Sequence, residues 1–216
     1  MSESSARVVI VDDDASVRKS LARLLRVHGY ETETYTCADE YLTQAQDIQA
    51  ACLILDLQMP GTNGLELQHR LIAAREETAV VFLTGHGDIP TSVQAMKLGA
   101  VDFLTKPVDE YTLIEAVDKA IIKQSEMQRQ RTLTKSVQAR LATLTSRERE
   151  VMQQVMTGAM NKQIAVQLGI SEKTVKVHRA HVMQKMQTSS AAELVQLCAG
   201  AKLLPGTPPV NHPDQQ

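Results

Sequence analysis

Short apolar runs alternate with amphipathic helical patterns through the first 122 residues, and this alternation limits the possible folds more than any other feature. The runs VVIV, CLIL and VVFL are apolar at every position, which is typical of strands covered by helices on both faces. We predict strands at residues 7–11, 31–35, 51–55, 79–83 and 101–104, and helices at 16–27, 38–45, 64–73, 89–98 and 110–122. This order predicts an α/β domain built on a five-stranded, parallel, doubly wound sheet.

Charge is divided unevenly along the chain. Residues 1–122 hold 10 Lys and Arg against 19 Asp and Glu, whereas residues 123–140 hold 5 against 1 and residues 141–199 hold 7 against 4. The net charge of −2 therefore conceals an acidic first half and a basic second half. Opposite charges in the two halves indicate two different kinds of partner.

Cysteine usage and hydropathy indicate the compartment. Cys37, Cys52 and Cys198 have no C-x-x-C spacing and no histidines near them in a ligand pattern, so they indicate neither a disulfide framework nor a zinc site. No apolar run approaches the roughly 20 residues that a membrane helix needs, and the first residues lack the hydrophobic region of a signal peptide. We therefore expect a cytoplasmic protein without membrane contact.

Residues 123–140 are polar and contain neither Pro nor Gly, so the preceding helix can continue through them as a helical linker. A narrow apolar stripe runs along this segment at spacings of three or four residues: Leu133, Val137, Leu141 and Leu144. Two interpretations stay open, a solvated helix with incidental leucines and a helix that contributes to a dimer. We predict an all-α domain at 141–203 and a disordered Pro- and Gly-rich tail at 204–216.

Chemically active side chains follow four of the predicted strands: Asp12, Asp13 and Asp14 the first, Asp56 the third, Thr84 the fourth and Lys106 the fifth. Parallel strands deliver their carboxyl ends to one edge of a sheet, so we expect these side chains to meet there. Clustered carboxylates repel one another unless a cation such as Mg²⁺, which prefers oxygen ligands, neutralises them. In that setting Asp56 is the natural nucleophile for a phosphoryl group, and the product is an acyl phosphate.

The aspartates after the first strand also have a purely structural interpretation. Asp is favoured at the amino-terminal cap of a helix, where the helix dipole stabilises negative charge. A cap role accounts for one of the three aspartates, and we expect that one to be Asp14. It does not account for Asp56, Thr84 and Lys106 at the ends of three other strands.

The motifs VVIVDDD, LILDLQMPGTNG, VVFLTGHGD and FLTKP, in this order, resemble the receiver domains of two-component response regulators over residues 6–122. The resemblance implies a flavodoxin-like fold with Mg²⁺ as cofactor. It implies that Asp13, Asp56 and the main-chain carbonyl of Gln58 ligate the ion directly, and that Asp12 acts through a water.

The same resemblance assigns roles on the phosphoryl side of the site. Thr84 and Lys106 hold the phosphoryl oxygens, and Phe103 is the aromatic residue that turns inward on activation. A phosphoryl group adds up to two negative charges, so the surface beyond Phe103 is expected to repack. Gln58 and His86 flank the water that hydrolyses the acyl phosphate, and we hypothesise that they set its lifetime.

From Thr145 onwards four short helices are indicated, with a Gly-containing turn of the kind found in helix-turn-helix motifs. A helical wheel of residues 173–184, continued to Met186, places Val175, Val182 and Met186 on one face. The opposite face carries Lys173, Lys176, Val177, Ala180 and Gln184. Cations, an amide and small apolar groups are what readout of the DNA major groove requires. We add Lys162, Ser171, Thr174 and Arg179 as further DNA contacts.

A small helical bundle that binds protein through a solvated lysine face is the structural alternative. The segments LTSREREV, MNKQIAVQLGIS and KTVKVHR resemble the LuxR-type helix-turn-helix domain over about residues 141–199. Together the two halves resemble the FixJ-like branch of response regulators. That resemblance implies a sensor histidine kinase, double-stranded DNA and RNA polymerase as partners, a homodimer on phosphorylation, and usually activation of transcription. Release of the DNA-binding face by the acidic half stays open as another route of activation.

Two rival functions remain at this point. A metal-dependent phosphatase with Asp56 as nucleophile typically carries a second Asp two residues later as acid and base, and Gln58 stands there instead. We therefore expect no enzyme activity beyond acceptance of a phosphoryl group and slow self-dephosphorylation. The other rival is a receiver whose basic domain binds protein or RNA, which salt-sensitive and sequence-specific binding of duplex DNA would exclude.

Overall fold

The computed structural model describes residues 6–45, 49–74, 78–85 and 89–203. Two sequence predictions, the role of His86 and the disordered tail at 204–216, lie outside these residues. The chain divides into two compact units between Met127 and Gln128. Among the described helices, none is both long and apolar enough to cross a membrane.

The first unit is built on a parallel five-stranded sheet with the order β2-β1-β3-β4-β5. Its strands are β1 (Arg7–Val11), β2 (Glu31–Tyr35), β3 (Cys52–Asp56), β4 (Val80–Thr84) and β5 (Asp102–Thr105). The last three strands begin and end one residue later than predicted from apolarity. Ladder hydrogen bonds continue through the polar residues that close these strands, because backbone pairing does not depend on the side chain.

Five helices follow the strands: α1 (Ala15–Val27), α2 (Ala38–Gln44), α3 (Gly64–Ala73), α4 (Ile89–Lys97) and α5 (Glu110–Ala142). Successive residues of a strand point to opposite faces, so Val9 and Val11 pack with α2, α3 and α4, whereas Val8 and Ile10 pack with α1 and α5. The predicted doubly wound α/β fold is confirmed.

Helix α5 continues without interruption for 33 residues, through the predicted linker. The apolar stripe of its second half belongs to the core of the second unit, where Val137 and Leu144 are buried and Leu133 and Leu141 are partly buried. Both sequence interpretations of the stripe are therefore wrong for Val137, which is neither solvated nor available to a second chain. The sequence pattern identifies an apolar face but not the surface that covers it.

The second unit adds α6 (Ser146–Met156), α7 (Asn161–Leu168), α8 (Glu172–Met186) and α9 (Ala191–Gly200) around one core. Side-chain oxygens cap three of these helices: Thr145 for α6, Ser171 for α8 and Ser190 for α9. The turn between α7 and α8 begins at Gly169, which has a φ of 65°, a left-handed conformation that favours glycine. The all-α helix-turn-helix architecture is confirmed.

Candidate functional site

An acidic cluster lies at the carboxyl edge of the sheet, where the adjacent strands β1 and β3 end. Asp12 is 1% exposed and Asp56 is 6% exposed, whereas Asp13 is open to solvent. One oxygen from each of these three carboxylates lies within 4.8 Å of the other two. The strand order brings them together because β1 and β3 are hydrogen-bonded neighbours.

Lys106, which follows β5, reaches into this cluster. Its Nζ lies 2.6 Å from Asp12 Oδ2 and 2.8 Å from Asp56 Oδ2. Burial raises the pKa of Asp12, although the hydrogen bond from Lys106 opposes this rise. Burial alone would lower the pKa of Lys106, but the hydrogen bonds and charges of Asp12 and Asp56 outweigh burial and raise that pKa. The lysine is therefore a cation held by two carboxylates.

The donor set of the cluster fits a hard divalent cation. One ammonium group faces three carboxyl groups, so negative charge remains uncompensated when all three are ionised. Oxygen donors that include an accessible carboxylate suit Mg²⁺, which keeps several of its waters when bound. The main-chain N–H of Gln58 donates to Asp56 Oδ1 over 3.1 Å, which holds the loop after β3 against the acidic site.

Asp14 has a different role from its two neighbours. Its Oδ1 accepts from the amides of Ser16 at 2.7 Å and Val17 at 3.3 Å, and these hydrogen bonds lower the pKa of Asp14. It is thus the cap of α1, as predicted. Asp12 instead accepts from the Asp14 amide, and its carbonyl accepts from Arg18, so its backbone is held while its carboxylate faces Lys106.

Thr84 and Phe103 lie on the strands beside the cluster. Thr84 is fully buried at the end of β4, one residue beyond the Leu83 that pairs with Asp56. The Lys106 amide donates to the Thr84 carbonyl at 2.7 Å, which ties the two predicted phosphoryl-binding residues together through the backbone. Phe103 is half-buried and packs against the core, with its ring centroid 6.1 Å from that of Phe82.

Gly64, the first residue of α3, is a site residue that the sequence analysis missed. A β-carbon on Gly64 would lie 2.3 Å from the carbonyl oxygen of Asp56, which is far below van der Waals contact. The only signal in the sequence was a glycine at the start of a helix rather than just after its end, where glycine is usual. The absence of a side chain here lets α3 pack directly against the backbone of Asp56.

The exposed face of α8 forms a second candidate site. The predicted core face is confirmed, since Val175, Val182 and Met186 are all fully buried. The side chains on the opposite face are all exposed: Lys173, Lys176, Val177, Ala180 and Gln184. This convex helical surface, which carries two lysines, an amide and small apolar groups, has the shape and chemistry of a major-groove reader.

The four flanking residues predicted to contact DNA differ in their surroundings. Lys162 is exposed in the first turn of α7. Arg179 is half-buried and donates to Asn161 Oδ1 at 3.1 Å, so it links α8 to the start of α7. Ser171 Oγ accepts from the Thr174 amide at 3.1 Å and lies 2.8 Å from Thr174 Oγ1, so both hydroxyls take part in the helix cap.

A buried carboxylate in the helical unit also escaped the sequence analysis. Glu148 is 3% exposed, and its Oε2 accepts from Lys185 Nζ at 2.6 Å and from the Thr145 amide at 2.8 Å. The Lys185 hydrogen bond, followed by that of Thr145, lowers the pKa of Glu148 to about 2. The T-x-x-E capping-box pattern was visible in the sequence, but the partner on α8 was not.

Comparisons with known proteins give a match for each of the two units. Residues 8–118 match the family model described as response regulator receiver domain, and residues 142–198 match the model described as bacterial regulatory proteins, luxR family. The transcriptional regulatory protein FixJ of Azorhizobium caulinodans is 43% identical over 201 residues, which are 93% of this chain and 95% of that protein. The chain belongs to the FixJ-like two-component response regulators.

Other known proteins also match along nearly the whole chain. Nodulation protein W of Bradyrhizobium diazoefficiens is 41% identical over 194 residues, which are 90% of this chain and 86% of that protein. The solved structure of the response regulator StyR is 44% identical with a TM-score of 0.79, and the match covers 91% of this chain and 99% of that chain. Full-length FixJ from B. japonicum is 38% identical with a TM-score of 0.57 over 92% and 98% of the two chains.

The close approach of α3 to Asp56 gives a testable prediction. We expect Gly64→Ala to lower the free energy of unfolding of the receiver by about 1 to 3 kcal/mol, because the new methyl group forces the Asp56 backbone to move. Gly85→Ala is the matched control, since its β-carbon meets nothing within 4 Å among the described residues. Urea denaturation, with hydrogen exchange of receiver peptides as the readout, measures the free energy of unfolding of each variant. An equal loss in Gly64→Ala and Gly85→Ala would contradict the packing argument.

Proposed function

We propose that this response regulator accepts a phosphoryl group on Asp56 from a sensor histidine kinase and then binds DNA as a homodimer to regulate transcription. Its compartment is the cytoplasm, where kinase, DNA and RNA polymerase are all accessible. The single observation that carries the proposal is the Lys106 ammonium group held between Asp12 and Asp56 at the edge of the sheet. In functional terms we assign residues 1–122 to the receiver, 123–140 to the linker and 141–203 to DNA binding, and the second half of the linker also packs in the core of the helical unit.

Phosphoryl transfer needs little from the protein except positioning and charge compensation. A carboxylate oxygen of Asp56 attacks phosphorus, an O–P bond forms, and the P–N bond to the kinase histidine breaks. Lys106 and Thr84 hold the phosphoryl oxygens as this occurs. Asp12, Asp13, Asp56 and the Gln58 carbonyl would hold Mg²⁺, which supplies further charge compensation when bound.

The acyl phosphate is a signal and not an intermediate of turnover. Gln58 stands two residues after Asp56, where a phosphatase of this kind has an acid–base carboxylate, and an amide cannot take a proton from water at neutral pH. Hydrolysis is therefore slow and confined to the phosphate on Asp56. We therefore propose no turnover of an external phosphate ester.

The signal passes through the surface formed by α4, β5 and α5. A phosphoryl group on Asp56 attracts Thr84 and Lys106, and Phe103 then packs further into the space beside them. Exposed apolar side chains on α4, Ile89, Val93 and Met96, support a role for this surface in pairing with a second receiver. Pairing activates the protein because a dimer reads two DNA half-sites at once.

Two sets of side chains make different contacts with DNA, one with bases and the other with phosphates. The exposed face of α8 enters the major groove, where Lys176 and Gln184 meet base edges and Val177 and Ala180 meet thymine methyl groups. Lys162, Ser171, Thr174 and Arg179 lie around this face and contact phosphates or position the helix. In this account α9 contributes to the dimer on DNA. We propose activation of transcription, with RNA polymerase as the further partner.

Asp56 gives the most direct test of the phosphoryl site. With acetyl phosphate and Mg²⁺, we expect the intact mass of the protein to rise by one phosphoryl group, and we expect no gain for Asp56→Asn or after removal of Mg²⁺ by chelation. Asp39→Asn, which changes an exposed carboxylate on α2, is the matched control and should be phosphorylated normally. Equal phosphorylation of Asp56→Asn would refute Asp56 as the acceptor.

The two lysine roles on DNA are separable by substitution. On a duplex selected by the phosphorylated protein from random sequences, Lys176→Ala should weaken binding by about 1 to 3 kcal/mol and relax sequence preference. Lys162→Ala should weaken binding to selected and random duplexes alike and reduce the salt dependence by about one released ion. Lys135→Ala, an exposed lysine on α5, is the control. The assignment fails if Lys176→Ala and Lys162→Ala behave identically on both duplexes.

A further inference from the structure

A second group of potential metal ligands lies in the helical unit, far along the chain from the acidic cluster. Glu148 of α6 and His178 and His181 of α8 each offer one ligand atom, and these atoms all lie within 4.8 Å of one another. The two histidines are three residues apart on α8 and so lie on neighbouring turns of one face. The packing of α6 on α8 brings the carboxylate to them.

The hydrogen bonds of Glu148 leave one of its oxygens facing the imidazole of His181. Oε2 accepts from Lys185 and from the Thr145 amide, whereas Oε1 lies 3.5 Å from His181 Nδ1. Tetrahedral zinc with bonds of about 2.0–2.1 Å holds its ligands roughly 3.3 Å apart. The carboxylate and the His181 ring are therefore already close to the separation that one shared ion requires.

His178 adds an independent observation. Its Nδ1 is buried and has no hydrogen-bond partner among the residues that the structure describes. Buried polar atoms nearly always have a partner, so an isolated one points to a site for an ordered water or an ion. His181, in contrast, has a side chain that is 51% exposed, so a cation has a path to the cluster from solvent.

The charges around the cluster select the class of ion. Lys185 already neutralises the Glu148 carboxylate, so a hard cation such as Mg²⁺, which depends on anionic oxygen ligands, is poorly matched to this cluster. Two imidazole nitrogens favour a borderline transition metal, because nitrogen ligands donate well to such ions. Lys185 also donates to Oε2 of Glu148 and so fixes the orientation of the carboxylate, as hydrogen-bond partners of metal ligands commonly do.

We propose that Glu148, His178 and His181 form a binding site for a divalent transition metal of the zinc class, with at least one coordination position open to solvent. An ion bound there links α6 to α8, the helix that carries the proposed DNA-reading face. Binding to the folded state alone stabilises the helical unit. This inference does not depend on phosphorylation or on DNA binding.

Titration of the full chain with Zn²⁺ tests the site. An Asp12→Asn, Asp13→Asn background weakens the acidic cluster as a competing site, and calorimetry then gives the stoichiometry and affinity at the second one. We expect one Zn²⁺ per chain and at least a tenfold loss of affinity in His181→Ala, whose exposed side chain can be removed without a cavity. His69→Ala, an exposed histidine on α3, should leave binding unchanged.

Hydrogen exchange provides the second readout. Zn²⁺ should slow exchange in α6 and α8 of the chain with His181 intact and have no such effect in His181→Ala. Three outcomes would overturn the proposal: unchanged Zn²⁺ affinity in His181→Ala, no Zn²⁺ binding in the background variant, or loss of Zn²⁺ binding in Cys37→Ser instead. His178→Gln provides a further test that keeps the ring volume approximately filled, and it should also weaken binding at least tenfold.

Discussion

The arrangement of the receiver site depends on the Lys106 ammonium group, which lies between two buried carboxylates. Asp12 and Asp56 close neighbouring strands and would repel each other without compensation, but Lys106 contacts both from the end of β5. These contacts join three strands of the sheet at one point. The order of the strands, the cap of α1 by Asp14 and the glycine at the start of α3 all serve to keep the carboxylates in this position. In the proposed mechanism, an incoming phosphoryl group competes for the same lysine and so changes the contacts that hold the site together.

The helical unit uses the same kind of interaction for a different purpose. Glu148 is buried and paired with Lys185, and this pair joins α6 to α8 instead of preparing a reaction. Such a pair contributes little net stability, but removing the lysine is costly because Glu148 is then left as an isolated buried charge. The pair therefore fixes the position of α8 relative to α6, which matters because the opposite face of α8 is the one proposed to enter the DNA groove.

The strands and most of the acidic site were predictable from the sequence, because both follow from local patterns of residues. Aliphatic and β-branched runs identified the five strands, and the polar residues that follow four of them identified Asp12, Asp56, Thr84 and Lys106 as neighbours. Three features were not predictable, because each depends on which surfaces meet in three dimensions. The burial of Val137 needs the helical core, the clash at Gly64 needs the path of the backbone beyond Asp56, and the Glu148 cluster needs the packing of α6 on α8.

Activation of the proposed regulator depends on coupling between the phosphoryl site and assembly of the dimer. Sedimentation velocity of the wild-type chain and of Asp56→Ala, with Mg²⁺ and before and after acetyl phosphate, tests it most directly. We expect a monomer-to-dimer shift on phosphorylation in the wild type and no shift in Asp56→Ala. A wild-type chain that is fully phosphorylated by mass and still sediments as a monomer would contradict activation by dimerisation, and would favour release of the DNA-binding domain from the acidic receiver.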